Sequence, residues 1–206
     1  MNKIKQYHST FTNFDKFQIS GEAFGIHVGS KESALNRLRV KKDEMEILTG
    51  EARFKDLTKP ILMELEVSYQ KAVRLEEGER GGTWSALDVV RRIMEKADEG
   101  KDVGFEIEPD VLDLYFEEES LFMPEGSGSE YEGEDFNDMF SERMQNEFLT
   151  DWLKHNGVDA IIYHNEFEKG GDSMILIDEK QINIVNKIHL TPEFEPLSAT
   201  RPKMKM

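Results

Sequence analysis

The sequence predicts an α+β chain, and three stretches carry that prediction. Val158 to Tyr163 and Ser173 to Asp178 are short apolar runs rich in isoleucine, and the link between them, His164 to Asp172, contains Gly170-Gly171. This is the pattern of a hairpin of two largely buried strands, which in turn require a sheet around them. Ile61 to Val67 sets Leu62, Glu64 and Glu66 against Met63, Leu65 and Val67, the period-two alternation of another strand. Trp84 to Ala97 instead places Leu87, Val89, Val90, Ile93 and Met94 at helical spacing, with Ser85 or Thr83 as N-cap, so it reads as an amphipathic helix.

In chain order, Ile4 to Thr10 alternates as a first strand and ends in Tyr7-His8-Ser9-Thr10. Phe11, Phe14 and Phe17 follow at a spacing of three, suited to a packed loop or helical turn over the sheet. Gly21 to Ser30 is a short strand punctuated by Gly21, Gly25 and Gly29, where the backbone approaches something closely. Ser30 caps a helix running from Lys31, with Ser33, Ala34, Leu35 and Leu38 in it, that ends before Thr49-Gly50. Pro60 opens the strand at Ile61, and Gly81-Gly82 breaks the chain before the Trp84 helix. A further helix or turn is expected at about Pro109 to Leu121, followed by Pro124 to Asp135, whose Gly/Ser/Glu composition is that of a mobile loop. Ser141 to His155 reads as a helix closed by Asn156-Gly157 that leads into the hairpin. Gln181 to Val185 is one more edge strand, and Thr191 to Met206 is expected to fray. The organisation expected is one domain over residues 1–190, with an acidic segment at about 117–142 and a tail at 191–206.

Composition bounds the chemistry. The 206 residues include no Cys, which removes disulfides, thiolate metal sites and cysteine nucleophiles. The formal net charge is −16, and Glu117 to Glu142 holds ten Asp or Glu and no Lys or Arg. Affinity for a phosphate backbone rests on Lys and Arg releasing counterions, so a basic protein partner is expected rather than nucleic acid. The first residues lack the apolar region of a secretory signal and no 18 consecutive apolar residues occur, so a cytoplasmic chain without membrane association is expected. His8, His27, His155, His164 and His189 do not show the helical spacing of a zinc protease, and no metal is expected. The glycines at 21, 25 and 29 form neither a dinucleotide-binding nor a P-loop pattern, and no serine nucleophile elbow is present. Singly, His8 and His27 read as structural more often than functional, and Glu166 and Glu168 as solvated turn charges.

Joined in order, however, these pieces resemble a known family. Tyr-His-Ser-Thr at 7–10, Gly-Ile-His-Val-Gly-Ser at 25–30 with Ser33-Ala34 after it, Trp84 before a helix, and Asn-Gly-Val-Asp-Ala-Ile-Ile-Tyr-His-Asn-Glu-Phe-Glu at 156–168 with Ser-Met-Ile-Leu-Ile-Asp at 173–178 are similar to the ADP-ribosyltransferase domain of bacterial and phage polyvalent proteins. More distantly they are similar to the poly(ADP-ribose) polymerase and diphtheria-toxin branch. The resemblance runs from about Tyr7 to Val185; Glu99 to Met139 has no counterpart.

The resemblance implies a split pair of small, mostly antiparallel sheets with flanking helices, gripping NAD as substrate between them, with no metal required. It implies that His8 bonds the ribose of NAD while the backbone at Ser9 and Thr10 holds the nicotinamide carboxamide, and that His27 packs on the nicotinamide ring. It further implies that Gly25 lies in the cofactor-binding motif and that Ser33 bonds the carboxamide. The family's glutamate, which binds a ribose hydroxyl, falls on Ser173 when the last strand is aligned, and Glu168 is the nearest carboxylate. The expected activity is transfer of single ADP-ribose units to an acceptor, a protein rather than nucleic acid. The rival expectation is a catalytically weakened member of the fold that acts through its acidic segment as an interaction or inhibitor protein, imitating nucleic acid.

Overall fold

The computed structural model describes residues 1–19, 24–49, 59–76, 84–107, 142–168, 170–191 and 193–196. The chain is α+β, built on a three-stranded and a four-stranded sheet with three helices among the described residues. The first sheet has the order β1 (Asn2–Thr10), β3 (Ile61–Tyr69), β7 (Ile182–His189) and is antiparallel throughout, with a register shift opposite Glu64 and Leu65 that leaves Val185 of β7 as the extra residue. The second has the order β2 (Ile26–Val28), β6 (Gly171–Leu176), β5 (Ala160–Asn165), β4 (Ala72–Leu75).

Alternation in β3 decides how the two sheets meet. Ile61, Met63, Leu65 and Val67 point inward and pack on Ile26, Val28, Ala160, Met174 and Leu176 of the second sheet. Glu64 and Glu66 point outward and pair with Lys5 and Lys3 at 2.9 and 3.0 Å. Leu62, on that outward face, is covered instead by Ala34 and Leu38 of α1 (Lys31–Thr49). The opposite face of the second sheet, with Val73, Ile161 and Ile175, is covered by α2 (Ala86–Asp98) and α3 (Glu142–His155) through Val89, Val90, Ile93, Leu149 and Leu153. Apolar residues on both faces explain why β5 and β6 read as continuous apolar runs rather than as alternation.

The helix termini follow their local chemistry. Ser85, not Thr83, caps α2: its hydroxyl accepts from the Asp88 amide at 3.1 Å while the Asp88 carboxylate accepts from the Ser85 amide at 3.2 Å. Gly157 ends α3 in the left-handed region at φ 70°, and the Val158 amide donates back to the Leu153 carbonyl at 2.8 Å. That bond makes Val158 the end of the helix cap rather than the start of a strand, so β5 begins two residues later than the apolar run suggests, and β6, paired with it, runs from Gly171 to Leu176.

β4 was not foreseen. Its four residues run parallel to β5, a partner almost ninety positions away, with Ala72 opposite Ala160. The Asp159 carboxylate anchors the entry by accepting from the backbone amides of Gln70 and Lys71 at 2.9 Å each. At the other end of the chain, Phe194 is buried against the α1 side of the first sheet and Leu190 bridges to Pro196, so the ordered chain continues past Thr191. Among the described residues no helix is long and apolar enough to cross a membrane. The helix or turn expected at 109–121, the loop at 124–135 and nearly all of the acidic segment lie outside the described residues.

Candidate functional site

The two sheets part where β1 and β2 leave one another. Among the described residues they are joined at one backbone bridge, in which Tyr7 and Gly29 exchange hydrogen bonds of 2.8 and 3.0 Å, and beyond it opens a cleft of about 750 Å³. The cleft brings together His8, Ser9, Gly25, His27, Ser33, Glu168 and Ser173, residues drawn from the first and last thirds of the sequence. Thr10 is not among its lining residues; its hydroxyl accepts from the Thr12 amide at 3.0 Å.

One wall is made by the histidines. His8 Nδ1 lies 2.9 Å from the His27 carbonyl, so this nitrogen carries the proton and donates, leaving Nε2 as an acceptor. Phe17 meets the His8 ring edge-on at 5.1 Å, which gives the aromatic run after β1 its purpose. His27 Nδ1 lies 3.3 Å from the Tyr163 hydroxyl across the second sheet. Burial lowers the pKa of His8 to about 4, assisted by the charge of Lys41 and opposed by the bond to the His27 carbonyl. Burial likewise lowers that of His27 to about 4, assisted by Arg37 and by Lys41. Both rings are therefore neutral at pH 7.

The facing wall is a polar knot around the β5–β6 turn. Glu168 Oε2 accepts from Asn165 Nδ2 at 2.7 Å and from the Ser33 hydroxyl at 3.0 Å, and Arg37 Nε lies 3.6 Å from Oε1. The Glu168 amide donates to Asn165 Oδ1 at 2.8 Å, and Asn36 donates to the Glu168 carbonyl at 2.6 Å. The Glu168 side chain keeps only 15% of its exposure. It is thus no solvated turn charge. Ser173 Oγ accepts from Asn165 at 3.0 Å and lies 3.3 Å from Ser33 Oγ.

Two glycines make this packing feasible. A Cβ on Gly170 would stand 2.2 Å from Ser33 Cβ and 2.6 Å from its backbone nitrogen, so the turn docks on α1 only without one. A Cβ on Gly29 would stand 2.6 Å from Ser173 Oγ and 2.7 Å from Ser33 Oγ. Gly25, whose φ is 65°, makes its own close approach to β6: a Cβ there would meet Ile175 Cγ2 at 2.4 Å and the Leu176 carbonyl at 2.8 Å.

Several cleft residues escaped the sequence reading. Arg37 and Lys41 continue from Ser33 at steps of four along α1, so all three share one helical face toward the cleft. That spacing was the available signal. Trp84 and Tyr163 also line the cleft with ring centres 4.4 Å apart, and the buried Trp84 indole N–H has no hydrogen-bond partner among the described residues. Chemically the cleft offers two neutral imidazoles, cations on one helix and one held carboxylate. Its volume is in the range of small-molecule and cofactor sites. Among the described residues no group of three or more His, Asp or Glu is arranged to hold a metal ion. No protein-family model, no curated protein and no solved structure matches the chain.

Proposed function

We propose that the cleft binds NAD and that the protein is a mono-ADP-ribosyltransferase of ADP-ribosyltransferase-like fold. The observation that carries the reading is the meeting, in one cleft between two sheets, of His8, His27, Ser33 and a held carboxylate, residues that the motif resemblance selects from positions up to 160 apart in the sequence. The acceptor-bearing Nε2 of neutral His8 suits a ribose hydroxyl donor. Arg37 and Lys41 suit the negative pyrophosphate.

Cleaving the nicotinamide–ribose bond develops positive charge on the sugar. A carboxylate fixed beforehand in a partly buried site stabilises that charge without reorganising, so Glu168 is assigned the electrostatic role. His27, held by Tyr163 and lacking charge, packs against the nicotinamide and orients the leaving group. Both histidines stay neutral, so neither opposes the developing cation.

The direct test is incubation of the protein with NAD and a cell lysate, reading nicotinamide release and labelled acceptors. Release with single-unit labelling is the expected result. NAD binding without release would move the reading to an interaction protein acting through the acidic 117–142 segment, and absence of binding would remove the reading altogether.

A further inference from the structure

We infer that Asn165 is a positioning residue that folds the β5–β6 turn back so that the Glu168 carboxylate is delivered to the spot beside Ser173 on the cleft wall. The inference rests on the role proposed for Glu168 and extends it to a residue that acts through Glu168.

Asn165 is the last residue of β5, opposite Gly171, and is 3% exposed. A buried amide must find partners for two N–H groups and a carbonyl oxygen, and Asn165 places all of them within this site. Its Nδ2 donates to Glu168 Oε2 at 2.7 Å and to Ser173 Oγ at 3.0 Å, while its Oδ1 accepts the Glu168 amide at 2.8 Å. One side chain therefore holds Glu168 by both backbone and carboxylate. Ser33 Oγ reaches the same two oxygens, at 3.0 Å to Glu168 Oε2 and 3.3 Å to Ser173 Oγ. Two groups that bridge the same pair of atoms fix those atoms side by side. The carboxylate that the strand itself lacks at position 173 is thus supplied from the turn. Asn36, bonded to the Glu168 carbonyl, and the absence of a side chain at Gly170 hold the same turn against α1.

The test uses the full chain and a double-mutant cycle. Asn165→Ala is expected to lower kcat for nicotinamide release by about 10- to 100-fold with the KM for NAD little changed, as misplacement of a catalytic group does. In the Glu168→Gln background the same Asn165→Ala change is expected to lower kcat no further, because the two residues act as one unit. Additive losses, or a rise in KM alone, would overturn the inference. A second measurement does not depend on activity. In Asn165→Ala the Glu168 amide should lose hydrogen-exchange protection while the Ile161 and Ile175 amides keep theirs. Unchanged protection at Glu168 overturns the clamp, and loss at Ile161 and Ile175 as well overturns it in favour of a general fold role. A wild-type protein that releases no nicotinamide refutes the transferase reading, whereas the exchange experiment still judges the clamp.

Discussion

The two walls of the cleft hold their key groups by opposite means. On the β1–β2 side, His8 and His27 are half-buried beside cations, and partial removal from water lowers their pKa values to about 4. On the α1 and β5–β6 side, Glu168 is held by donors from Asn165, Ser33 and Arg37, with its backbone tied on both sides. The first wall is tuned by desolvation and has neutral rings suited to binding. The second is tuned by hydrogen bonds and keeps a carboxylate in place for charge that appears only in the transition state. Disturbing one wall should therefore change affinity, and disturbing the other should change rate.

The largest effect tests the rate wall. Glu168→Gln should lower turnover by about 10²-fold or more while NAD affinity is retained, as removal of one preorganised transition-state interaction does. Wild-type turnover in this variant would remove Glu168 from the chemistry. The binding wall is tested next by thermal melting. NAD at about 100 times its Kd should stabilise the wild type by about 2.7 kcal/mol, and His8→Ala should lose most of that increment relative to its own ligand-free melt. A shift as large in the variant would take His8 out of the site.

Acidification separates the walls in another way. The histidines have lowered folded-state pKa values, so between about 6.5 and about 4 the unfolded chain binds protons that the folded chain does not. Stability contributed by these groups is present above pH 6.5 and is lost as pH falls through that window. Melting curves from pH 7 to 4.5 should fall, and less steeply in His8→Gln; equal slopes would show that His8 does not titrate this way.

Smaller changes sharpen the picture of the rate wall. Gly170→Ala forces a Cβ onto Ser33 and should cost about 1–3 kcal/mol of stability, measured by denaturant unfolding, with turnover falling more than NAD affinity. An unperturbed variant would mean that the turn does not need its docking on α1. Least of all, Ser173→Ala should leave turnover nearly unchanged and cost on the order of 1 kcal/mol or less, because Asn165 keeps its bonds to Glu168. A loss of rate comparable with that of Glu168→Gln would shift the catalytic assignment to Ser173.

By itself the sequence determined what is local. The period-two pattern of Ile61 to Val67, the Ser85 and Ser30 caps, the Asn156-Gly157 stop and the paired apolar runs of the hairpin each depend on residues within a few positions of one another, so each could be read directly. Seven of the site residues named from the ordered motifs also meet in the cleft, because the motifs sit at the strand ends that border it. Tertiary structure decided the rest. β4 has no turn signal before it and exists because β5 offers an edge far along the chain, with Asp159 to anchor the crossing. Glu168 lies in a turn whose Asn, Glu and Gly composition reads as solvated, and it becomes a partly buried, bonded carboxylate because Ser33, 135 positions earlier, approaches the turn across Gly170. Asn165 carries a local signal in its spacing of three from Glu168, to which it makes two of its three bonds, but its burial and its bond to Ser173 come from the strand pairing around it.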